Sequence, residues 1–334
     1  MSTYKRVEGQ VRIVFLGCGA IAAKHAQRLH SLLHGFAGVE LYFASRTESK
    51  ARKYADKYKG KGFFASYTAA IQSPVVSVVF ICTPPDSHLA LSIEAMTAGK
   101  HVICEKPSFF HSTDFDIIDK LRQEKGVQLF VAENYFYKPA LKRLREVLAM
   151  NLIGDIKFLF FNATKSQKVT DWRADADTAG GALFEGGIHW INYISNLGLT
   201  VQSVTGFLPS NNGRPERSMQ VVAKYAEGPI GTLLYSWEVD ALFRGLRNSR
   251  IFGSKGSIKF ESNGLYIFVR GEKWRLIFPG IADIDGTKGM LADFINALRT
   301  GEDAAFSLQM ARRDVELIEQ AYQTSGISLT HNCK

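Results

Sequence analysis

Apolar and polar positions follow two different rhythms along this chain. Over the first 134 residues, short apolar runs at 11–16, 39–44, 76–82, 101–104 and 128–132 alternate with helically spaced stretches at 20–34, 48–58, 86–98 and 112–125. Such alternation predicts βαβ units, and so a parallel sheet with helices on both faces. From about residue 153 the pattern changes to alternating or apolar stretches at 156–163, 218–225, 230–239, 249–253, 257–260 and 264–269. Hairpins suit these strands: Asn263-Gly264 predicts a two-residue turn and Glu227-Gly228-Pro229 a longer one. Helical spacing returns in Leu291, Phe294, Ile295 and Leu298 and continues in Val315, Ile318 and Tyr322.

The predicted fold class is therefore α/β. A doubly wound parallel sheet occupies 1–134, and an α+β domain with a mostly antiparallel sheet occupies 135–334. The boundary is blurred, because the helix at 138–150 carries Leu141, Leu144 and Leu148 on one face, and the helices over 287–323 can pack back on the first domain. At 334 residues the chain is long enough for two cores.

Charge and cysteine content narrow the function class. The net charge of +9 comes from 41 basic and 32 acidic side chains spread along the chain, which favours small anionic ligands over nucleic acid. Cys18, Cys82, Cys104 and Cys333 show no C-x-x-C spacing and read as packing thiols of a reducing compartment. The polar start, Met1 to Gln10, lacks the apolar stretch of a secretory signal, and no segment approaches the roughly 18 apolar residues of a membrane span. The expectation is a cytoplasmic protein with no membrane partner.

The chemistry begins after the first strand. The run Val11 to Leu16 leads into Gly17-Cys18-Gly19-Ala20-Ile21-Ala22, where two glycines allow a tight turn under a pyrophosphate and Ala22 permits close helix packing. A dinucleotide would rest on the following helix N-terminus. The second strand ends in Ser45-Arg46-Thr47, with Lys50 one turn on, in place of the acidic residue that normally takes the ribose hydroxyls. A hydroxyl, a guanidinium and an ammonium there favour NADP(H) over NAD(H). The fourth apolar run ends in Glu105-Lys106-Pro107, which sets an ammonium beside a nicotinamide-sized site.

Several stretches together resemble the glucose-fructose oxidoreductase / inositol dehydrogenase (Gfo/Idh/MocA) family: the glycine turn, Cys82-Thr83-Pro84-Pro85-Asp86-Ser87-His88, Ala98 through Pro107, Asp171-Trp172-Arg173 and Gly180 through His189. The resemblance implies an N-terminal Rossmann domain, a C-terminal domain built on a large open sheet, and often a dimer or tetramer formed through that sheet. It puts Thr83, Pro84, His88 and Glu105 near the cofactor, Lys106 by the nicotinamide and His189 at the proton-transfer position. Reducing a carbonyl needs a hydride, a cation to polarise the oxygen and a proton donor; Lys106 suits the second task and His189 the third. Two positions depart from the family's D-x-G-x-H-x-x-D pattern, where Glu185 and Asn192 replace both aspartates. Glu185 retains the charge, whereas Asn192 can orient a hydroxyl but cannot act as a base.

Tyr135 or Tyr137, after the last parallel strand, and Trp172 with Arg173 are candidate substrate contacts, alongside Glu185, His189 and Asn192. His30, His34 and His111 read as solvated helix or loop residues and are joined by no cysteine or acidic residue in a ligand pattern, so no metal is expected. The sequence thus predicts an NADP(H)-dependent oxidoreductase that interconverts an alcohol and a carbonyl on a sugar, sugar derivative or cyclitol. Two other readings stay open. One is glycosidic cleavage or epimerisation with recycling of the cofactor, and the other is a non-catalytic NADP(H) sensor.

Overall fold

The computed structural model describes residues 4–32, 38–169, 180–209, 215–240 and 246–327. The chain divides into two compact units, Met1–Ala132 with Thr287–Arg312 and Glu133–Gly286 with Arg313–Lys334.

The first unit is built on β1 (Val11–Leu16), β2 (Val39–Ala44), β3 (Gly62–Phe64), β4 (Val78–Ile81), β5 (His101–Glu105) and β6 (Leu129–Ala132). These pair in parallel in the order β3-β2-β1-β4-β5-β6. The chain winds outward from β1 in one direction and from β4 in the other, so the strand order reverses between them, and their C-terminal ends open a crevice. Because helices cover both faces, strands β4 and β6 are buried along their whole length and are apolar throughout. Phe15 stacks between Phe43 and Phe80, at 5.4 and 5.0 Å.

The helices of this unit are α1 (Ala20–Leu32), α2 (Glu48–Lys57), α3 (Tyr67–Gln72), α4 (His88–Thr97) and α5 (Asp114–Lys125). The same unit contains the later α8 (Thr287–Thr300), which buries Met290, Leu291, Phe294, Ile295 and Leu298 and stacks Phe294 on Phe130 at 4.9 Å. Each such apolar side chain contributes about 1.5–3 kcal/mol by burial.

The second unit holds β7 (Ile156–Thr164), β8 (Val201–Phe207), β9 (Ser218–Tyr225), β10 (Ile230–Ser236), β11 (Asn248–Gly253), β12 (Gly256–Glu261), β13 (Ile267–Arg270) and β14 (Trp274–Ile277). Their order is β14-β13-β12-β11-β7-β10-β9-β8, with β7 and β10 parallel and every other pair antiparallel. The inner face buries Leu159, Phe161, Val221, Leu233, Ile251, Ile258 and Phe260. Against it lie aromatic residues of α7 (Ile188–Ser195), whose Tyr193 stacks on Phe260 at 6.3 Å. Also in this unit are α6 (Pro139–Ala149) and the later turns of α9 (Leu308–Ser325), the division between units falling inside that helix.

The hairpin expected at Asn263-Gly264 is not a two-residue turn. Strand β12 ends at Glu261 and β13 begins at Ile267. The fully buried Glu261 carboxylate accepts the main-chain N–H groups of Asn263, Gly264 and Leu265 at 2.9, 3.1 and 3.3 Å, and that acceptor favours the longer loop. Among the described residues no helix is long and apolar enough to cross a membrane.

Candidate active site

The site residues of the first unit gather at the C-terminal ends of β1, β2, β4 and β5. Gly17 adopts φ +98°, which a side chain rarely allows, and a Cβ there would lie 2.9 Å from the Cys82 carbonyl. Gly19 differs: nothing lies within 4 Å of the position its Cβ would take, so the backbone stands open to an approaching group. The Gly17 N–H donates to Ala44 at 3.0 Å and the Tyr54 hydroxyl donates to the Gly19 carbonyl at 3.2 Å, pinning the loop from two sides. Ala20 is exposed, Ile21 is half-buried and Ala22 is buried at the start of α1, whose first turn carries no acidic residue. That cradle fits the pyrophosphate of a dinucleotide.

At the end of β2, Ser45 is buried and its Oγ accepts the Thr47 N–H at 3.2 Å, while Arg46, Thr47 and Lys50 are exposed. Lys50 acts electrostatically on Cys18 in the glycine loop, and Arg46 hydrogen-bonds the Tyr67 hydroxyl. Burial pushes the Cys18 thiol up to about 11, so it stays protonated and is a poor target for oxidation.

The loop after β4 is organised internally. Thr83 Oγ1 and Ser87 Oγ are 2.6 Å apart, and Ser87 Oγ donates to the Pro84 carbonyl at 2.9 Å. His88, which the family resemblance placed near the cofactor, is 1% exposed. Its Nδ1 lies 2.9 Å from the Pro107 carbonyl and its Nε2 2.8 Å from the Thr83 carbonyl, so its ring braces the two loops rather than facing a ligand. Burial lowers its basicity against those two bonds. Glu105, equally buried, meets His25 Nε2 through Oε1 and accepts the Lys106 N–H through Oε2 at 3.2 Å. Burial alone would push this carboxyl up, but His25, Lys106 and His88 hold it below the usual carboxylate range.

In the second unit, a π-helical turn over Leu183–Gly187 precedes α7 and carries Glu185, which is 6% exposed. Such turns concentrate at functional sites. The turn is held by Glu216, whose carboxylate accepts the Leu183 N–H at 2.7 Å and the Tyr322 hydroxyl at 2.6 Å. Gly181 at φ +122° leaves the room that carboxylate needs, since a Cβ there would collide with it. Burial pushes Glu216 up to about 7.

His189 follows on α7. Its Nδ1 lies 2.6 Å from Glu133 Oε1, and that oxygen also accepts the Tyr135 N–H at 2.9 Å. The imidazole stacks on the Tyr135 ring at 4.3 Å and 11°. The Lys138 ammonium lies 4.2 Å from the centre of the same ring. Lys138 is 3% exposed, and burial, countered by Glu261, pulls it down to about 8. Tyr135 is driven the other way, up to about 12, again by burial.

Asn192 does not line an open site. It is 0% exposed, and its Nδ2 donates to Asp314 Oδ2 at 2.6 Å, which ties α7 to α9. Burial pushes Asp314 up to about 6 against the pull of Arg313. Trp172 and Arg173 lie outside the described residues. Tyr137 packs edge-on against Phe136 at 5.1 Å. Four residues not picked out in the sequence contact the candidate residues: His25, Tyr54, Glu133 as the partner of His189, and Lys138. No cluster of potential metal ligands occurs among the described residues.

Residues 11–133 match a model described as an oxidoreductase family with an NAD-binding Rossmann fold, and residues 141–259 match the GFO/IDH/MocA C-terminal domain. An oxidoreductase of Bacillus subtilis, YfiI, is 28% identical over 63% of this chain and 58% of its own. The trans-1,2-dihydrobenzene-1,2-diol dehydrogenase of Bos taurus is 27% identical over 58% of each chain. The chain therefore spans somewhat more than half the length of these two relatives. A levoglucosan dehydrogenase solved with NADH and levoglucosan shares the fold, with a TM-score of 0.83 at 20% identity over 95% of this chain and 97% of the other. The two family models follow one another along most of the chain, and the protein belongs to the Gfo/Idh/MocA family of oxidoreductases.

Proposed function

We propose that this protein is an NADP(H)-dependent oxidoreductase that interconverts an alcohol and a carbonyl on a sugar, sugar derivative or cyclitol. The observation that carries the reading is the His189–Glu133 pair, with Nδ1 committed to a buried carboxylate at 2.6 Å and the imidazole side chain 16% exposed. With Nδ1 so held, proton exchange runs through Nε2, and Glu133 stabilises the imidazolium. Tyr135 fixes the ring plane by stacking. In the direction of reduction, a bound NADPH supplies the hydride to the carbonyl carbon. Lys106 polarises the carbonyl oxygen, and His189 gives the proton that completes the hydroxyl.

Cofactor choice rests on this chain's own cations, since a solved protein of the same fold is complexed with NADH. Arg46 and Lys50 supply charge for a 2′-phosphate, and no acidic side chain ends β2 to repel one. A cytoplasmic setting accords with the unpaired, buried thiols of Cys18, Cys82 and Cys104.

A homodimer or homotetramer through the open face of the eight-stranded sheet belongs to the same reading. Across that face Ile230 pairs with Phe158 and Phe158 with Phe252, while Phe268 pairs with Leu276. Phe158, Trp274 and Leu276 are 59%, 72% and 57% exposed, an apolar area that a partner would cover.

The test is calorimetric titration with NADPH and NADH, followed by an absorbance screen at the nicotinamide band against ketoses, aldoses, keto-sugars and cyclitol ketones. Tight NADPH binding with turnover supports the reading. Product without net NADPH consumption would replace it with a recycling reaction, and binding without any turnover would replace it with a sensor.

A further inference from the structure

The buried His25 is not needed to fill space. Its ring packs on Phe80 at 4.7 Å in an apolar setting, where a phenyl ring would serve without carrying polar nitrogens into the core. Of its two nitrogens, Nε2 meets Glu105 and Nδ1 has no hydrogen-bond partner among the described residues. A buried nitrogen left unsatisfied is a cost, so the bond to Glu105 is what the histidine supplies. Glu105 spends its other oxygen on the Lys106 N–H, and Pro107 is gripped from the far side by His88. His25 lies on α1, about one and a half turns beyond the glycine loop on which the cofactor's phosphates would rest.

We infer that His25 is a positioning residue for Lys106: it fixes the Glu105 carboxylate, and Glu105 fixes the Lys106 main chain, so that the helix under the cofactor also sets the place of the ammonium. The inference rests on the reading of Lys106 as the group that polarises the carbonyl. The charged and titratable groups around Glu105 are His25 from α1, His88 from α4, its neighbour Lys106, and the thiols of Cys82 and Cys104.

The experiment uses the full chain with and without NADPH, and compares His25→Phe, His25→Gln and Lys106→Ala with the parent. Carbon-13 NMR of labelled glutamate, assigned through Glu105→Gln, follows the Glu105 carboxyl. Nitrogen-15 labelling of lysine follows the Lys106 amide. Removing the His25 bond in His25→Phe moves the Glu105 titration upward and shifts the Lys106 amide resonance. His25→Gln, which keeps a donor but not the charge, restores the Lys106 amide resonance and part of the Glu105 shift. With substrate, His25→Phe lowers kcat by about 10–100-fold, the loss expected for one charged hydrogen bond, with KM within about threefold of the parent. A purely structural role would lower the melting temperature and leave the Glu105 titration in place.

If Phe prevents folding, His25→Asn, too short to reach Glu105, takes its place. A Glu105 titration or a Lys106 amide that stays put overturns the inference whatever the activity. Both moving while Lys106→Ala retains full turnover overturns the role given to Lys106 and leaves the linkage from His25 standing.

Discussion

His25 meets Glu105 in the parallel-sheet unit, and His189 meets Glu133 in the mixed-sheet unit, yet the two pairs differ in their access to water. The first pair is closed, with side chains 3% and 7% exposed, whereas in the second the carboxylate is 2% exposed and the imidazole 16%. A closed pair can transmit position but has no route for a proton to solvent or substrate. An open imidazole backed by a buried carboxylate can give up and regain a proton while keeping its orientation. On the proposed reading one motif, histidine on a helix against glutamate at the end of a strand, would serve two purposes according to its burial.

The largest effect is expected at the open pair. Replacing His189 by Asn should lower kcat/KM for carbonyl reduction by about 10²–10⁴-fold while NADPH binding, read by calorimetry, stays near the parent value. A loss below tenfold would remove His189 from proton transfer. Next in size, Lys106→Ala should cost about 10²–10³-fold in kcat as the cation that polarises the oxygen is lost. If KM alone rose, Lys106 would be a binding residue.

Arg46→Asp should shift the NADPH-to-NADH ratio of kcat/KM toward NADH by about 10–100-fold, through a lost charged hydrogen bond and added repulsion. An unchanged ratio would remove the cation argument for a 2′-phosphate.

A separate effect is one of stability. Glu216 has its folded pKa raised from 4.5 to about 7, so its contribution is fully present below pH 4.5 and lost as pH rises through about 7. Glu216→Gln, which keeps an acceptor for Leu183 and Tyr322, should flatten that slope by up to about 3 kcal/mol in denaturant melts. A variant that loses stability over the same window as the parent would show that another group titrates there.

Much of the fold was legible because it rests on periodicity. The runs at 11–16 and 39–44 became β1 and β2 with the same bounds, and Leu291, Phe294, Ile295 and Leu298 all face the core. Short elements were not legible: β3 spans Gly62–Phe64 and α3 only Tyr67–Gln72, too brief for a period to show. At the site, the glycine turn and Glu105-Lys106-Pro107 announce themselves through local chemistry. Their partners do not, because Glu105 meets a residue 80 positions away and His189 one 56 positions away. A signal for His25 existed, since it lies among Ala22, Ala26 and Leu29 on the buried stripe of α1, where a histidine needs a reason. Asn192 shows the opposite error. Its place three residues after His189 suggested a ligand contact, but the helix turns it inward onto Asp314.

The most direct test of the comparison is the pH dependence of kcat/KM for NADPH-dependent carbonyl reduction in the parent, His189→Gln and His25→Gln. The limb set by proton transfer should disappear in His189→Gln and persist in His25→Gln. A limb that survives in His189→Gln, or vanishes in His25→Gln, would contradict the division between an exchanging pair and a positioning pair.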